Sequence, residues 1–216
     1  MSIDLKKYTH IIWDWNGTLL DDAWLCVDVM NGMLEERGMK LKTVDEYREL
    51  FDFPVRDYYE KLGFNFKDEP FDKVGMEFII RYNRRHHETK LHPEVKNVLE
   101  IISRNNISQC ILSAREQNEL ISETKTLGVF NYFHLIRGLD DHYAFGKTEV
   151  GMRLLEDMGV PEADMLFIGD TRHDAEVAAS LGIDCVLIPN GHQSEHRLQI
   201  LGAPIIHTLN DLTKLL

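Results

Sequence analysis

The chain is poor in the features that would take a protein out of an ordinary reducing, aqueous setting. Three cysteines occur, Cys26, Cys110 and Cys185, far apart and each in apolar company. That spacing offers neither a disulfide framework nor a paired-thiolate metal site, so all three read as reduced core residues. No apolar run reaches the ~18 residues of a membrane span. The first residues, Met1-Ser2-Ile3-Asp4-Leu5-Lys6-Lys7, lack the apolar core of a signal peptide. A cytoplasmic protein without a membrane partner is therefore expected. Positive charge is also scarce. Twenty-four Lys and Arg stand against 36 Asp and Glu, a net charge of −12, which argues against nucleic acid as the main partner. A small anionic ligand remains compatible, because a metal or a buried cation reverses the field locally. Repeats and low-complexity tracts are absent, and 216 residues suffice for one large domain or one domain with an insert.

What is present is an alternation of short apolar runs and helical patterns. Ile11 to Trp13, Cys110 to Leu112, Met165 to Ile168 and Cys185 to Ile188 predict buried parallel strands, with His134 to Ile136 and Pro204 to Ile206 as weaker candidates. Between them, Val95, Val98, Leu99 and Ile102 share one helix face. Three further stripes end at Gly128, Gly159 and Gly182, where glycine stops a helix. This rhythm predicts an α/β fold with a doubly wound parallel sheet. Residues 22–88 break it. Ala23 to Arg37, a helix capped by Thr43 and Glu46, one opened by Pro54 and one from Pro70 to His87 follow each other without strands. We expect residues 1–21 and 89–216 to form the α/β core. Residues 22–88 would form a helical cap over the carboxyl edge of the sheet, placed to act as a lid.

The chemistry-bearing residues gather at that same edge. Asp14 ends the first strand and a glycine turn follows at once, in Trp13-Asp14-Trp15-Asn16-Gly17-Thr18-Leu19. Open α/β sheets bind ligands there, and a carboxylate in that position can attack phosphorus. Ser113 ends the second run and Gly169-Asp170 the third, with Asp174 four residues on. Lys147 lies just before a helix. Three carboxylates, a hydroxyl and an ammonium suit phosphoryl transfer, in which Mg²⁺ takes carboxylate oxygens while Lys147 and Ser113 hold phosphate oxygens. Gly146-Lys147-Thr148 is not a P-loop ending, because position 141 is aspartate rather than glycine.

In this order, Asp14-x-Asn16-Gly17-Thr18-Leu19, Ser113, Lys147 and Gly169-Asp170-x-x-x-Asp174 resemble the four motifs of the haloacid dehalogenase-like hydrolase superfamily. The resemblance covers nearly the whole chain and is strongest to its phosphoglycolate phosphatase-like branch with a C1-type cap. It implies an Mg²⁺-dependent phosphatase acting on a small phosphorylated metabolite through an aspartyl-phosphate. Asp14 would be the nucleophile. The implied metal ligands are Asp14, the Asn16 carbonyl and Asp170, with Asp174 supporting the metal or Lys147. Ser113 and Lys147 would hold the phosphoryl group, bordered by Gly17, Thr18 and Ala114. A monomer or homodimer is expected.

Asn16 departs from that pattern. The superfamily's phosphatases usually carry a second aspartate there, which protonates the leaving alcohol and then activates water. Asparagine does neither, at a typical cost of about 10²- to 10⁴-fold. The alternative reading is thus a catalytically weak phospho-ligand-binding or regulatory protein. Among other candidates, Asn190-Gly191-His192-Gln193 could border the site. His173, inside the fourth motif, could lie near it, with the surface the favoured place. Arg81, Arg84 and Arg85 could meet an anionic substrate, with a solvated face the favoured reading.

Overall fold

The computed structural model describes residues 4–140 and 146–216. In chain order the strands and helices are β1 (His10–Trp13), β2 (Leu20–Asp21), α1 (Ala23–Glu36), α2 (Val44–Leu50), α3 (Val55–Leu62), α4 (Phe71–Arg85), β3 (Lys90–Leu91), α5 (Val95–Arg104), β4 (Ser108–Glu116), α6 (Gln117–Thr126), β5 (Leu135–Leu139), α7 (Lys147–Met158), β6 (Met165–Gly169), α8 (Arg172–Leu181), β7 (Asp184–Leu187), α9 (Glu195–Gln199) and α10 (Leu209–Thr213).

Five strands form one sheet in the order β5-β4-β1-β6-β7, and every pair in it is parallel. The central strand β1 has Ile11, Ile12 and Trp13 completely buried, as a strand covered on both faces must. Its side chains alternate. Ile11 and Trp13 join Val98, Leu99, Leu120 and Leu212 on one face. Ile12 joins Leu154, Phe167 and Ala178 on the other. The chain winds outward from β1 through β4 to β5, then returns to β6 and β7 on the opposite side. That reversal opens a crevice at the carboxyl ends of β1, β4 and β6. The doubly wound α/β class read from the sequence is the observed one. Pro204–Ile206 contributes only a single bridge, Leu187 to Ile205.

Between β2 and β3 the chain makes α1 to α4, which pack on one another through Leu25, Met33, Tyr47, Tyr59, Val74 and Tyr82. Local chemistry sets their ends. Thr43 and Glu46 exchange hydrogen bonds in a capping box, and Gly63 closes α3 with φ 108°. The two-residue strands β2 and β3 pair antiparallel at the base of this layer, Leu20 opposite Leu91. The sequence showed no such ribbon, since two residues carry no period. The helical layer is tied to the sheet core at the loop after β7. Arg48 Nε donates to the Gly191 carbonyl at 2.9 Å, Gln193 Nε2 to the Phe51 carbonyl at 3.1 Å, and Arg197 pairs with Asp52 at 2.9 Å. No helix among the described residues is long and apolar enough to cross a membrane, and the three cysteines are free.

Candidate active site

Because β1, β4 and β6 are neighbours in register, the residues that follow them meet. The Asp14 amide donates to the Ile168 carbonyl at 2.9 Å, which sets Asp14 beside the end of β6. Asp14, Asp170 and Asp174 each place a carboxylate oxygen within 4.8 Å of the others. Lys147, the first residue of α7 rather than part of the preceding loop, reaches back with Nζ 2.5 Å from Asp14 and 2.7 Å from Asp174. All four side chains are buried.

Such crowding has electrostatic consequences. Burial, with Asp174 and Asp170 nearby, pushes the Asp14 carboxyl up to about 8 against the pull of Lys147. Burial likewise lifts Asp170 to about 6. Burial works against the Lys147 ammonium, but Asp14 and Asp174 override it and hold its pKa above the ordinary lysine value. Three buried acids with only oxygen donors suit a hard divalent cation, whose charge would favour their ionised forms.

The surrounding glycines are fitted to this cluster. A Cβ on Gly17 (φ +77°) would lie 2.4 Å from Asp170 Oδ2, and one on Gly191 would lie 2.0 Å from the same atom. Asp170 is held further by the Thr18 hydroxyl at 2.9 Å and the His192 amide at 2.6 Å. Gly17 and Thr18 also support the acidic residues around them. The Gly17 amide donates to Asp22 at 2.9 Å and the Thr18 hydroxyl to Asp170, so both polar groups are spent inside the protein. Asp174 is also heavily engaged. Its Oδ1 takes Lys147, and its Oδ2 takes the Thr171 amide and hydroxyl at the start of α8. Ser113 is fully buried on β4, which runs on to Glu116. It does not cap the next helix, because Glu116 does, accepting from the Glu119 amide.

Asp22 and Tyr82, which no sequence pattern assigns to the site, join Asn16 and His192 in a second set of residues. Asn16 Nδ2 donates to Asp22 Oδ2 at 2.8 Å and to Tyr82 Oη at 3.2 Å. Asp22 also receives the Tyr82 hydroxyl at 2.8 Å and lies 3.3 Å from His192 Nε2. Burial opposes the His192 cation, yet Asp22, Asp170 and Asp14 raise it to about 9. Burial opposes the Asp22 anion too, but His192, Asn16 and Tyr82 hold it below the usual carboxylate range. The only sequence signal for His192 was a glycine turn after the last strong strand. His173, expected at the surface, instead packs its ring 4.7 Å from that of Phe53. Arg81 and Arg85 pair with Glu36 and Asp28 and line a separate groove with Arg84.

A cavity of about 230 Å³ extends from Asp14, Asn16, Ser113, Ala114 and Lys147 up to the helical layer. Arg115 stands on its wall with a side chain only 9 % exposed, pairing with Glu123 at 2.8 Å and with Asn83 Oδ1 at 2.9 Å. Glu123 also accepts from Trp15 Nε1 at 2.9 Å. Arg115→Met strands a buried carboxylate and is expected to cost about 3–5 kcal/mol, measured by urea unfolding. Arg115→Met combined with Glu123→Gln should recover part of that loss, because the amide still accepts from Trp15.

A doubly wound sheet with a carboxylate cluster and a buried ammonium at its switch point defines an α/β enzyme built to handle an anionic group. The chain belongs to the haloacid dehalogenase-like hydrolases, whose family model matches residues 11–188. It is 23 % identical over 213 residues to a phosphoglycolate phosphatase of Pseudomonas savastanoi, covering 95 % of this chain and 78 % of that one. To a phosphoglycolate phosphatase of Neisseria gonorrhoeae it is 27 % identical over 206 residues, covering 89 % and 84 %. A haloacid dehalogenase-like hydrolase from Streptococcus pneumoniae shares the fold with a TM-score of 0.83 at 20 % identity, covering 97 % of this chain and 98 % of that one.

Proposed function

We propose that the protein is an Mg²⁺-dependent phosphomonoesterase that acts on a small phosphorylated metabolite through an aspartyl-phosphate. The observation that carries this reading is the buried Asp14–Lys147–Asp174 cluster beside Asp170, on the wall of a cavity of about 230 Å³. Asp14 attacks phosphorus, the bond to the leaving oxygen breaks, and that oxygen takes the electron pair. Water then attacks phosphorus and frees the Asp14 carboxylate. Lys147 and Ser113 hold phosphoryl oxygens, and Lys147 offsets the charge that spreads over them. Asp14, Asp170 and the Asn16 carbonyl are the residues to hold Mg²⁺, which would supply positive charge to the phosphate when bound. Asp174 positions Lys147 and supports that set. Gly17 and Thr18 keep Asp22 and Asp170 in place, and Ala114 borders the phosphate. Residues 22–88 serve as a cap that excludes water, over a core of residues 1–21 and 89–216. A cytoplasmic setting belongs to the same proposal.

Asn16 favours a second reading, a phospho-ligand-binding protein with weak turnover. A panel of phosphomonoesters assayed with Mg²⁺ and with EDTA separates the two. Turnover that appears with Mg²⁺ and is lost in EDTA is the expected result. Ligand binding by calorimetry with no phosphate release under any condition would establish the second reading instead.

A further inference from the structure

Beyond the carboxylates, the cavity is walled by rings. Phe51 and Phe53 lie 5.4 Å apart centre to centre, Phe51 and Tyr58 5.3 Å, and Phe78 stacks on Tyr82 at 6.1 Å. Its volume, about 230 Å³, exceeds the ~150 Å³ that accommodates benzene in an engineered protein cavity. The space therefore takes a six-membered ring beside a phosphoryl group.

Charge on the wall is already matched. Among the described lining residues, Lys147 is held by Asp14 and Asp174 and His192 by Asp22. Arg115 is held by Glu123, Glu119 and Asn83, 5.1 Å from the Tyr82 ring centre. An anionic substituent on the ligand, such as the carboxylate of phosphoglycolate, would find none of these cations free and would pay its desolvation unrelieved. Two neutral polar atoms on the same wall are free. Tyr58 Oη and His173 Nε2 are buried without a hydrogen-bond partner, and the Tyr58 residue is 2 % exposed. A buried polar atom left unpaired is costly, so these are places for an uncharged polar substituent of a ligand.

Asn16 points the same way on separate grounds. An alkyl alcohol, about as weak an acid as water, needs a proton to leave, and no acid stands at position 16. A phenol ionises near pH ~10 and leaves as the anion.

We propose that the substrate is an aryl phosphate, an uncharged aromatic ring with a neutral hydrogen-bonding substituent seated among Phe51, Phe53, Tyr58 and Phe78. This rests on the reading of Asp14 as phosphoryl acceptor. A bond forms between an Asp14 oxygen and phosphorus while the phosphorus–aryl oxygen bond breaks, and the electron pair leaves on the phenolate. Water then attacks phosphorus, the bond to Asp14 breaks with its pair returning to the carboxylate, and the proton shed by water passes to solvent. Nothing is oxidised or reduced. With no carboxylate at position 16 to activate that water, the second step is the slower one.

The test compares phenyl phosphate, cyclohexyl phosphate and phosphoglycolate with the Mg²⁺-loaded protein. Phenyl phosphate should exceed cyclohexyl phosphate, which has the same bulk, by about 10²-fold or more in kcat/KM. Stopped-flow mixing should show a burst of phenol close to one per site. Phe51→Ala should raise KM for phenyl phosphate about 10-fold. Phenylphosphonate, which cannot turn over, should bind at least about 10-fold more tightly than phosphonoacetate by calorimetry. Equal or faster turnover of cyclohexyl phosphate or phosphoglycolate would overturn the aryl assignment and leave the phosphatase reading standing. Turnover of no ester would overturn both.

Discussion

Asp14→Asn is expected to lower phosphomonoesterase activity by at least about 10⁴-fold, measured as initial rates with saturating Mg²⁺. The amide has the size of the carboxylate but does not attack phosphorus. It also removes one of three crowded acidic oxygens, so Mg²⁺ affinity should fall with the rate. Folding should not suffer. Burial and its acidic neighbours push the Asp14 carboxyl up to about 8, which means the ionised form is held at a cost in the metal-free protein. Replacing it by a neutral amide relieves that repulsion, and Lys147 keeps its 2.7 Å contact with Asp174. Metal-free Asp14→Asn should therefore melt at or above the temperature of metal-free wild type, a trade of stability for function that thermal unfolding reads directly. Activity that survives the substitution sinks the covalent mechanism whatever the melting temperature does.

The parts of the molecule visible in the sequence are those that local patterns decide. Ile11–Trp13 and Met165–Ile168 are continuous apolar runs because their strands are covered on both faces. Thr43 with Glu46, and the glycine after α3, mark helix ends through bonds within a few residues. Asp14, Ser113 and Asp170 could be brought together in advance because strand ends of one sheet converge. The residues that were missed owe their place to partners far along the chain. Asp22 meets Tyr82 and His192, and Arg115 meets Asn83 and Glu123, through packing of the helical layer on the core. No spacing announces such contacts. His173 lies near the site for the same reason, since Phe53, its packing partner, belongs to the inserted layer. The family resemblance implies that Gly17 and Thr18 border the phosphate. In the structure the Gly17 amide meets Asp22 and the Thr18 hydroxyl meets Asp170.

Asn16→Asp is expected to raise turnover of alkyl phosphates by about 10²- to 10⁴-fold, the range a general acid supplies. Position 16 is suited to such an acid. The side chain lines the cavity two residues from Asp14 and sits 2.8 Å from Asp22 Oδ2. A carboxyl introduced there faces a carboxylate that His192 keeps ionised. Two acids sharing a buried site do not both ionise, so the new group keeps its proton and donates it to Asp22 much as the amide does now. A held proton of this kind is what an alkoxide leaving group lacks in wild type. Folding should lose only about 1 kcal/mol, for the hydrogen bond to Tyr82 Oη that a carboxyl cannot make while donating to Asp22. The gain should depend on the leaving group. Cyclohexyl phosphate should gain most and phenyl phosphate least, so that the wild-type preference for the aryl ester shrinks. A gain confined to phenyl phosphate would mean that leaving-group protonation is not what Asn16 withholds, and that its effect falls wholly on water attack at the aspartyl-phosphate. The stopped-flow burst then decides, because a variant repaired only in that second step loses the burst with phenyl phosphate while its first-turnover rate stays the same.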